Sequence, residues 1–214
     1  MRWILNGFGV AVAVGIVAGV LASCGPSSSP SNLASGAPAA SDGPSGAPAS
    51  RADNLAASSA DSPDIADRLG SQAFLANDYA GAMREYRSAA DRGFAHSQYE
   101  IGALYDGGLG VAQDYAQAMH WYRLAAAQGD ADAQGNIGSL YDAGSGVPVD
   151  HAQAAHWYRL AADQGNASAQ FNLGMSYALG QGVAQDMGQA RSWISKAAAQ
   201  GMKQAKDWLA QHPK

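Results

Sequence analysis

Few side chains in this sequence stand at spacings that could support metal binding or acid–base catalysis. His120 and His156 each precede a tryptophan and are 36 residues apart, a whole unit of the repeat described below. Such a separation is too large for two ligands of one zinc ion. His151 and His156 are five residues apart, which does not align two side chains on one face of a helix. We therefore predict surface histidines, and we expect neither a metal nor a cofactor.

Glycine-rich segments around Leu109, Ser145 and Gln181 could cradle a phosphate group, because each of these residues has a glycine on both sides. A nucleotide-binding loop follows a strand and contains Lys followed by Ser or Thr. These segments follow predicted helices and lack that pair. No Ser-His-Asp or Cys-His combination stands out either. We therefore predict that the protein is not an enzyme and has no catalytic residue.

A repeat of 36 residues organises the chain, and its clearest copy runs from Ala131 to Asn166. A shift by 36 residues superimposes three glycines, three tyrosines and three aspartates, which are Gly102, Gly138, Gly174, Tyr105, Tyr141, Tyr177, Asp114, Asp150 and Asp186. A fixed period of this length is typical of a solenoid, in which each unit buries its apolar face on its neighbours.

Each copy predicts two antiparallel helices joined by a glycine-rich turn. In one copy, Ile101 and Tyr105 share a face of the first helix, and Trp121 and Ala125 share a face of the second. An aspartate such as Asp114 precedes the second helix, where it can accept hydrogen bonds from free backbone amides. A glycine ends each copy at the position that favours a left-handed backbone.

The recurring pattern LG..Y..G.GV..D...A..WY..AA..G resembles the Sel-one-like repeat family, a relative of the tetratricopeptide repeat. The resemblance covers residues 95–130, 131–166 and 167–202. Residues 64–94 resemble a plain tetratricopeptide hairpin, because this unit is four residues shorter and Glu85 replaces the tryptophan. Residues 203–214 are expected to form a capping helix. The resemblance implies an all-α, right-handed solenoid of stacked helix hairpins.

Residues 1–23 have the features of a secretion signal, with Arg2 followed by an uncharged apolar stretch. Leu21 to Cys24 resembles a bacterial lipobox, which implies cleavage before Cys24 and firm membrane anchoring through acyl chains on this residue. The alternative is an uncleaved signal anchor, because the apolar stretch is long enough to span a bilayer. Gly25 is not the aspartate that favours inner-membrane retention, so we expect an outer-membrane protein that faces the periplasm.

Residues 24–63 are rich in Ser, Ala, Gly and Pro, and this composition predicts a disordered tether. Cys24 is the sole cysteine, so no intrachain disulfide can form. The formal net charge is −5 and the basic residues are scattered, which argues against nucleic-acid binding.

The resemblance to tetratricopeptide repeats implies that the first helices line a concave groove that takes a peptide or a partner's helix. The groove positions carried over are His96, Tyr99, Asp106, Asp132, Ser139, Asp142, Ser168, Phe171 and Met175. Their acidic share favours a basic partner. The alternative role of these positions is packing between repeats.

These features together predict a lipid-anchored scaffold for protein–protein interaction in the bacterial envelope. Two alternative functions remain open. One is binding or hydrolysis of β-lactams, which has been suggested for cysteine-rich relatives of this family. The other is a spacer or a cell-wall contact without a specific protein partner.

Overall fold

The computed structural model describes residues 62–213, and all regular structure in this range is α-helical. The nine helices of this range are α1 Pro63–Leu75, α2 Tyr79–Ala90, α3 Ala95–Gly107, α4 Tyr115–Ala127, α5 Ala131–Ala143, α6 His151–Asp163, α7 Ala167–Leu179, α8 Met187–Ala199 and α9 Lys203–Gln211. The predicted signal peptide, the lipid attachment at Cys24 and nearly all of the predicted tether 24–63 lie outside the described residues.

The helices form hairpins that stack in chain order. Helices α1 and α2 pair, as do α3 and α4, α5 and α6, and α7 and α8, and each hairpin packs mainly on the next one. Contacts of this nearest-neighbour kind define a solenoid. The all-α solenoid prediction is confirmed.

Close approach of the two helices of a hairpin depends on a glycine in the first helix. A Cβ added at Gly102 would lie 2.6 Å from Cδ1 of Tyr122 on α4. The Tyr122 ring therefore occupies the space that any side chain at this position would need, and it is completely buried there. Gly138 makes the same contact with Tyr158, whereas Gly174 faces Ile194 in the last full hairpin.

The turns within the three longer hairpins take a shape that glycine permits. Gly108 and Gly110 have φ angles of 64° and 69°. A Cβ at Gly110 would also lie 2.6 Å from Cβ of Tyr79 in the preceding hairpin, so this turn packs directly on its neighbour. Asp114 then accepts hydrogen bonds from the amides of Ala116 and Gln117 at 2.9 and 3.0 Å. The predicted capping role is confirmed here and at the equivalent Asp150 and Asp186.

The first hairpin has a shorter turn, as its sequence predicts. Only residues 76–78 separate α1 from α2, and Asn77 adopts a φ angle of 61°. Asp78 caps α2 by accepting a hydrogen bond from the amide of Gly81 at 2.9 Å.

Buried glutamines connect successive hairpins, a role that the sequence did not reveal. Gln98 Nε2 donates to the carbonyl oxygen of Ala90 in the preceding hairpin at 3.2 Å. Its Oε1 accepts from Gln128 Nε2 at 2.8 Å. Gln134 and Gln170 repeat this pattern in the next two hairpins. The stack is therefore joined by polar contacts as well as by apolar packing.

Helix α9 covers the end of the last full hairpin. Ala205 is completely buried with Ile194 and Ala197, and Trp208 and Leu209 pack against this cluster. Lys203 and Lys206 are exposed. Within residues 62–213, no helix is both long and apolar enough to cross a membrane.

Candidate partner-binding surface

The nine predicted groove residues lie on the first helices of three successive hairpins. We call the surface formed by α1, α3, α5 and α7 the first-helix side, and the surface formed by α2, α4, α6 and α8 the second-helix side. Four of the nine predicted residues are exposed, namely His96, Asp132, Asp142 and Ser168. The others are half-buried, namely Tyr99, Asp106, Ser139, Phe171 and Met175.

His96 joins the first two hairpins through Asp67 and also contacts Glu100 on its own helix. Its Nδ1 lies 2.8 Å from Oδ1 of Asp67 on α1, and its Nε2 lies 3.4 Å from Oε1 of Glu100. The hydrogen bond with Asp67 is the main cause that raises the pKa of His96, although burial opposes it. The charges of Asp67, Glu100 and Asp130 raise this pKa further. His96 is therefore held by carboxylates on both sides of its ring.

The same place brings together a serine, a histidine and an aspartate, but in an order that does not form a catalytic triad. Ser97 Oγ donates a hydrogen bond to Asp67 Oδ1 at 2.6 Å, and Ser97 is completely buried. A catalytic serine must instead contact the histidine that acts as its base. Here the second ring nitrogen of His96 faces Glu100. The three side chains therefore tie α1 to α3 and lack the geometry for acyl transfer.

Tyr99 lies where α3 meets α5. Its ring centroid is 5.8 Å from that of Tyr122, with the planes tilted by 35°. Burial is the main cause that raises the pKa of Tyr99, and the negative charges of Glu100, Asp132 and Asp130 add to it. A hydrogen bond with the Asn136 side chain on α5 acts in the opposite direction. The tyrosine therefore lies beside carboxylates of both its own hairpin and the next one.

Three of the predicted residues contact the second helix of their own hairpin. Asp106 accepts a hydrogen bond from the Tyr122 hydroxyl at 3.1 Å. Ser139 Oγ accepts from the Tyr158 hydroxyl at 3.3 Å. Asp142 lies 2.8 Å from Nδ1 of His151 at the start of α6. These side chains therefore stabilise the hairpins.

Phe171 and Met175 lie next to the C-terminal helix. Both pack against the buried cluster of Ile194, Ala197 and Ala205, to which α9 contributes. This contact with the core corresponds to the alternative role left open by the sequence, packing between repeats. Of the predicted residues on α7, Ser168 is the exposed one.

One position of the three 36-residue repeats has no side chain in α5, although it is aromatic in α3 and α7. Gly135 occupies in α5 the place of Tyr99 in α3 and of Phe171 in α7. A Cβ built at Gly135 would meet a single neighbouring atom within 4 Å, namely Oδ1 of Asn166 at 4.0 Å. We call this opening the Gly135 notch. The gap in the aligned aromatic positions was the signal that could have revealed it.

Asp132 lies at the rim of this notch, three residues before Gly135. Asn166 Nδ2 donates a hydrogen bond to its carboxylate at 2.7 Å, while Oδ1 of Asn166 accepts from the amide of Ala169 and so caps α7. Partial desolvation and the neighbouring Asp130 raise the pKa of Asp132. Within residues 62–213, no three acidic, histidine or cysteine side chains are arranged to hold a metal ion.

The two sides of the solenoid carry opposite charge. The helices of the first-helix side contain six acids and one basic residue, the acids being Asp64, Asp67, Glu100, Asp106, Asp132 and Asp142 and the basic residue being Arg68 on α1. The second-helix side has six basic residues and only two acids within its helices. The basic residues are Arg84, Arg87, Arg123, Arg159, Arg191 and Lys196, and the acids are Glu85 and Asp163.

Comparison with known proteins gives matches over the repeats. The family model for the Sel1 repeat matches residues 95–130, 131–166 and 167–202. A protective antigen of uropathogenic Escherichia coli that displays an SLR fold is 38% identical, with a TM-score of 0.67 over 76% of this chain and 36% of that one.

A Sel1 repeat protein from Oxalobacter formigenes is 34% identical, with a TM-score of 0.64 over 74% of this chain and 48% of that one. The chain thus spans between about a third and a half of the length of these two relatives. No curated protein matches the chain.

Proposed function

Because this chain belongs to the Sel1 repeat family, we propose that it is a scaffold that binds a peptide or a helix of a partner protein on its first-helix side. Sel1 repeats generally serve as scaffolds for protein–protein interaction. The observation that carries the proposal is the character of this side. The half-buried rings of Tyr99 on α3 and Phe171 on α7 lie on this side, and α5 between them carries the exposed carboxylates of Asp132 and Asp142.

The proposed scaffold is not a catalyst. In the group formed by Ser97, His96 and Asp67, the serine hydroxyl donates its hydrogen bond to the aspartate and not to the histidine. The other side chains of the first-helix side are aromatic, amide and carboxylate groups that recur from one hairpin to the next. Such a surface supports binding of a partner.

The proposal places the scaffold at the outer membrane, facing the periplasm, with acyl chains on Cys24. The support is the lipobox-like segment before Cys24. Incorporation of labelled palmitate is expected with the parent chain and not with Cys24→Ala, and the membrane is identified by density-gradient fractionation of envelopes. Equal labelling of both chains, or an inner-membrane position of the parent, would contradict this part of the proposal.

Capture of partners from crosslinked, detergent-solubilised envelopes tests the binding side. The double variant Tyr99→Ala, Ser168→Arg alters two hairpins of the first-helix side. Leu160→Ala on α6 is the matched control, because Leu160 is exposed on the second-helix side. A partner should be recovered with the parent and the control, lost with the double variant, and bound again by the purified parent. Identical partner lists for all three chains would refute the proposed side.

Recovery of no protein would refute the scaffold function itself. The spacer or cell-wall alternative then makes its own prediction, which is that the full chain sediments with purified peptidoglycan. Equal helicity of all three chains, measured by circular dichroism, is required before the lists are compared.

A further inference from the structure

We infer that the partner segment is cationic and that one of its lysine or arginine side chains enters the Gly135 notch. This inference rests on the proposed function and specifies the chemistry of the partner at one point of the first-helix side.

The notch leaves room for a side chain of a partner on the surface of α5. At Gly135, a Cβ would have no atom nearer than 4.0 Å, so the surface of α5 is open where its neighbours carry rings. Tyr99 and Phe171 stand at the equivalent positions of the helices on either side, and axes of packed helices lie about 8–10 Å apart. The methylene groups of lysine or arginine can lie along such an opening while the charged end remains in a polar environment.

The charges around the notch select a cation. Asp132 is on the same helix, and Asp130 and Glu100 interact with it and with Tyr99. Helices α3, α5 and α7 contain no lysine or arginine, and their one histidine, His96, already lies against Asp67 and Glu100. A cationic group at the rim would therefore relieve the repulsion among the carboxylates, and the Tyr99 ring adds a face that attracts cations.

The arrangement favours a different protein over a second copy of this chain. The second-helix side is basic, but its cations already have partners within the chain. Arg123 donates to the Tyr141 hydroxyl at 2.9 Å, Arg159 donates to the Tyr177 hydroxyl, and Lys196 lies 3.5 Å from the centroid of the Trp193 ring. Docking of a second copy through these groups would compete with the contacts that they already make.

Binding of defined peptides to the full-length chain in a non-ionic detergent tests the inference. The probes are a fluorescein-labelled peptide of alternating alanine and arginine and its alanine–glutamate counterpart. The alanine–arginine peptide should bind, and its affinity should fall as salt is raised, because the contacts involve exposed charges. Failure of this peptide to bind, or equal binding of the acidic peptide, would overturn the inference.

Two variants test the notch, each with a matched control. Gly135→Phe fills the opening with the type of side chain found at positions 99 and 171, and Asp132→Asn removes one negative charge while leaving an oxygen for Asn166. Each should weaken binding of the alanine–arginine peptide about five-fold. The controls Ala127→Phe and Asp163→Asn make the same changes at exposed residues of α4 and α6, and they should leave the affinity unchanged. Unchanged affinity in both notch variants would overturn the inference.

The outcomes also separate this inference from the proposed function. A captured partner that depends on Tyr99 and Ser168 but binds Gly135→Phe and Asp132→Asn as tightly as the parent would leave the scaffold standing and refute the notch. Sedimentation velocity tests whether a second copy of this chain occupies the notch instead. A dimer of the parent that Asp132→Asn converts to a monomer would assign the notch to a second copy and refute a cationic partner.

Discussion

Gln128 at the end of α4 donates a hydrogen bond from Nε2 to Oε1 of Gln98 on α3 at a distance of 2.8 Å. Gln98 is buried and donates in turn to the carbonyl oxygen of Ala90 in the preceding hairpin at 3.2 Å. The Gln98 side chain therefore bonds a backbone carbonyl of the preceding hairpin and, within its own hairpin, the side chain of Gln128 at the end of α4. Because the pattern recurs at Gln134 and Gln170, the stack has a polar connection at each of its three internal junctions.

Removal of one of these glutamines should destabilise the solenoid. Gln134→Ala leaves the carbonyl oxygen of Ala126 and the amide of Gln164 without this partner inside the protein, which costs about 1–3 kcal/mol. Urea unfolding of the full chain followed by circular dichroism measures the loss. Gln153→Ala, an exposed glutamine on α6, is the control and should change the stability by less than about 0.5 kcal/mol. Equal effects of the two variants would contradict a structural role for the buried glutamine.

Two glycines within helices should respond in opposite ways to substitution by alanine. Gly102→Ala places a methyl group against the Tyr122 ring, where the Cβ would be 2.6 Å from Cδ1, and such overpacking costs about 1–3 kcal/mol. The methyl group of Gly135→Ala enters open space. Because alanine also restricts the unfolded chain more than glycine does, the variant should be more stable by about 0.5–1 kcal/mol. Thermal and urea unfolding of both variants measures the sign. Stabilisation by Gly102→Ala would contradict this prediction, because it would show that the Tyr122 ring can move away from α3 without loss of stability.

The aspartates that precede the second helices should contribute to stability separately. Asp150 accepts hydrogen bonds from the amides of Ala152 and Gln153 at 3.0 Å. Asp150→Ala removes both and should cost about 1 kcal/mol, whereas Asp150→Asn or Asp150→Ser should retain most of this energy. Asp163→Ala, which removes an exposed carboxylate near the end of α6, should be nearly neutral. The free energies of unfolding in urea provide the comparison, and equal losses in Asp150→Ala and Asp150→Asn would argue against capping.

The contribution of His96 should depend on pH. Asp67, Glu100 and Asp130 raise the pKa of His96 in the folded chain, so folding favours the protonated ring. The stabilisation is fully present below the pKa of a histidine in an unfolded chain, about 6.5, and is lost as the pH rises through the higher folded value. The difference in stability between the parent and His96→Gln should therefore be larger at pH 6 than at pH 9.

Proton NMR titration of the His96 ring checks the direction of this shift. Gln153→Ala, which replaces an exposed side chain of α6 that does not titrate, is the control and should show no such change with pH. A pKa for His96 at or below that of a free histidine would contradict the contact with Asp67.

The sequence and the structure agree most closely on the features that recur every 36 residues. The capping role of Asp114 follows from its position before an apolar helix, and the close approach at Gly102 follows from its alignment with Gly138 and Gly174. The candidate surface was predicted less completely. The assignment of Tyr99, Asp132 and Phe171 to the groove stays a prediction, and the structure adds that Phe171 packs against the cluster formed with α9. The Gly135 notch was not predicted, because it depends on the aromatic side chains at the equivalent positions of α3 and α7.

The sequence alone determined the helices, their turns and their caps, because these depend on backbone dihedral angles and on contacts between residues a few positions apart. The tertiary structure decided which side chains of the first helices remain available. His96 and Asp67 are 29 residues apart, and Gln98 and Gln128 are 30 residues apart. Gln98 and Gln128 meet when the hairpin of α3 and α4 closes, whereas His96 and Asp67 meet only when hairpins stack. The exposure and charge of such side chains are set by neighbours that a local pattern does not specify.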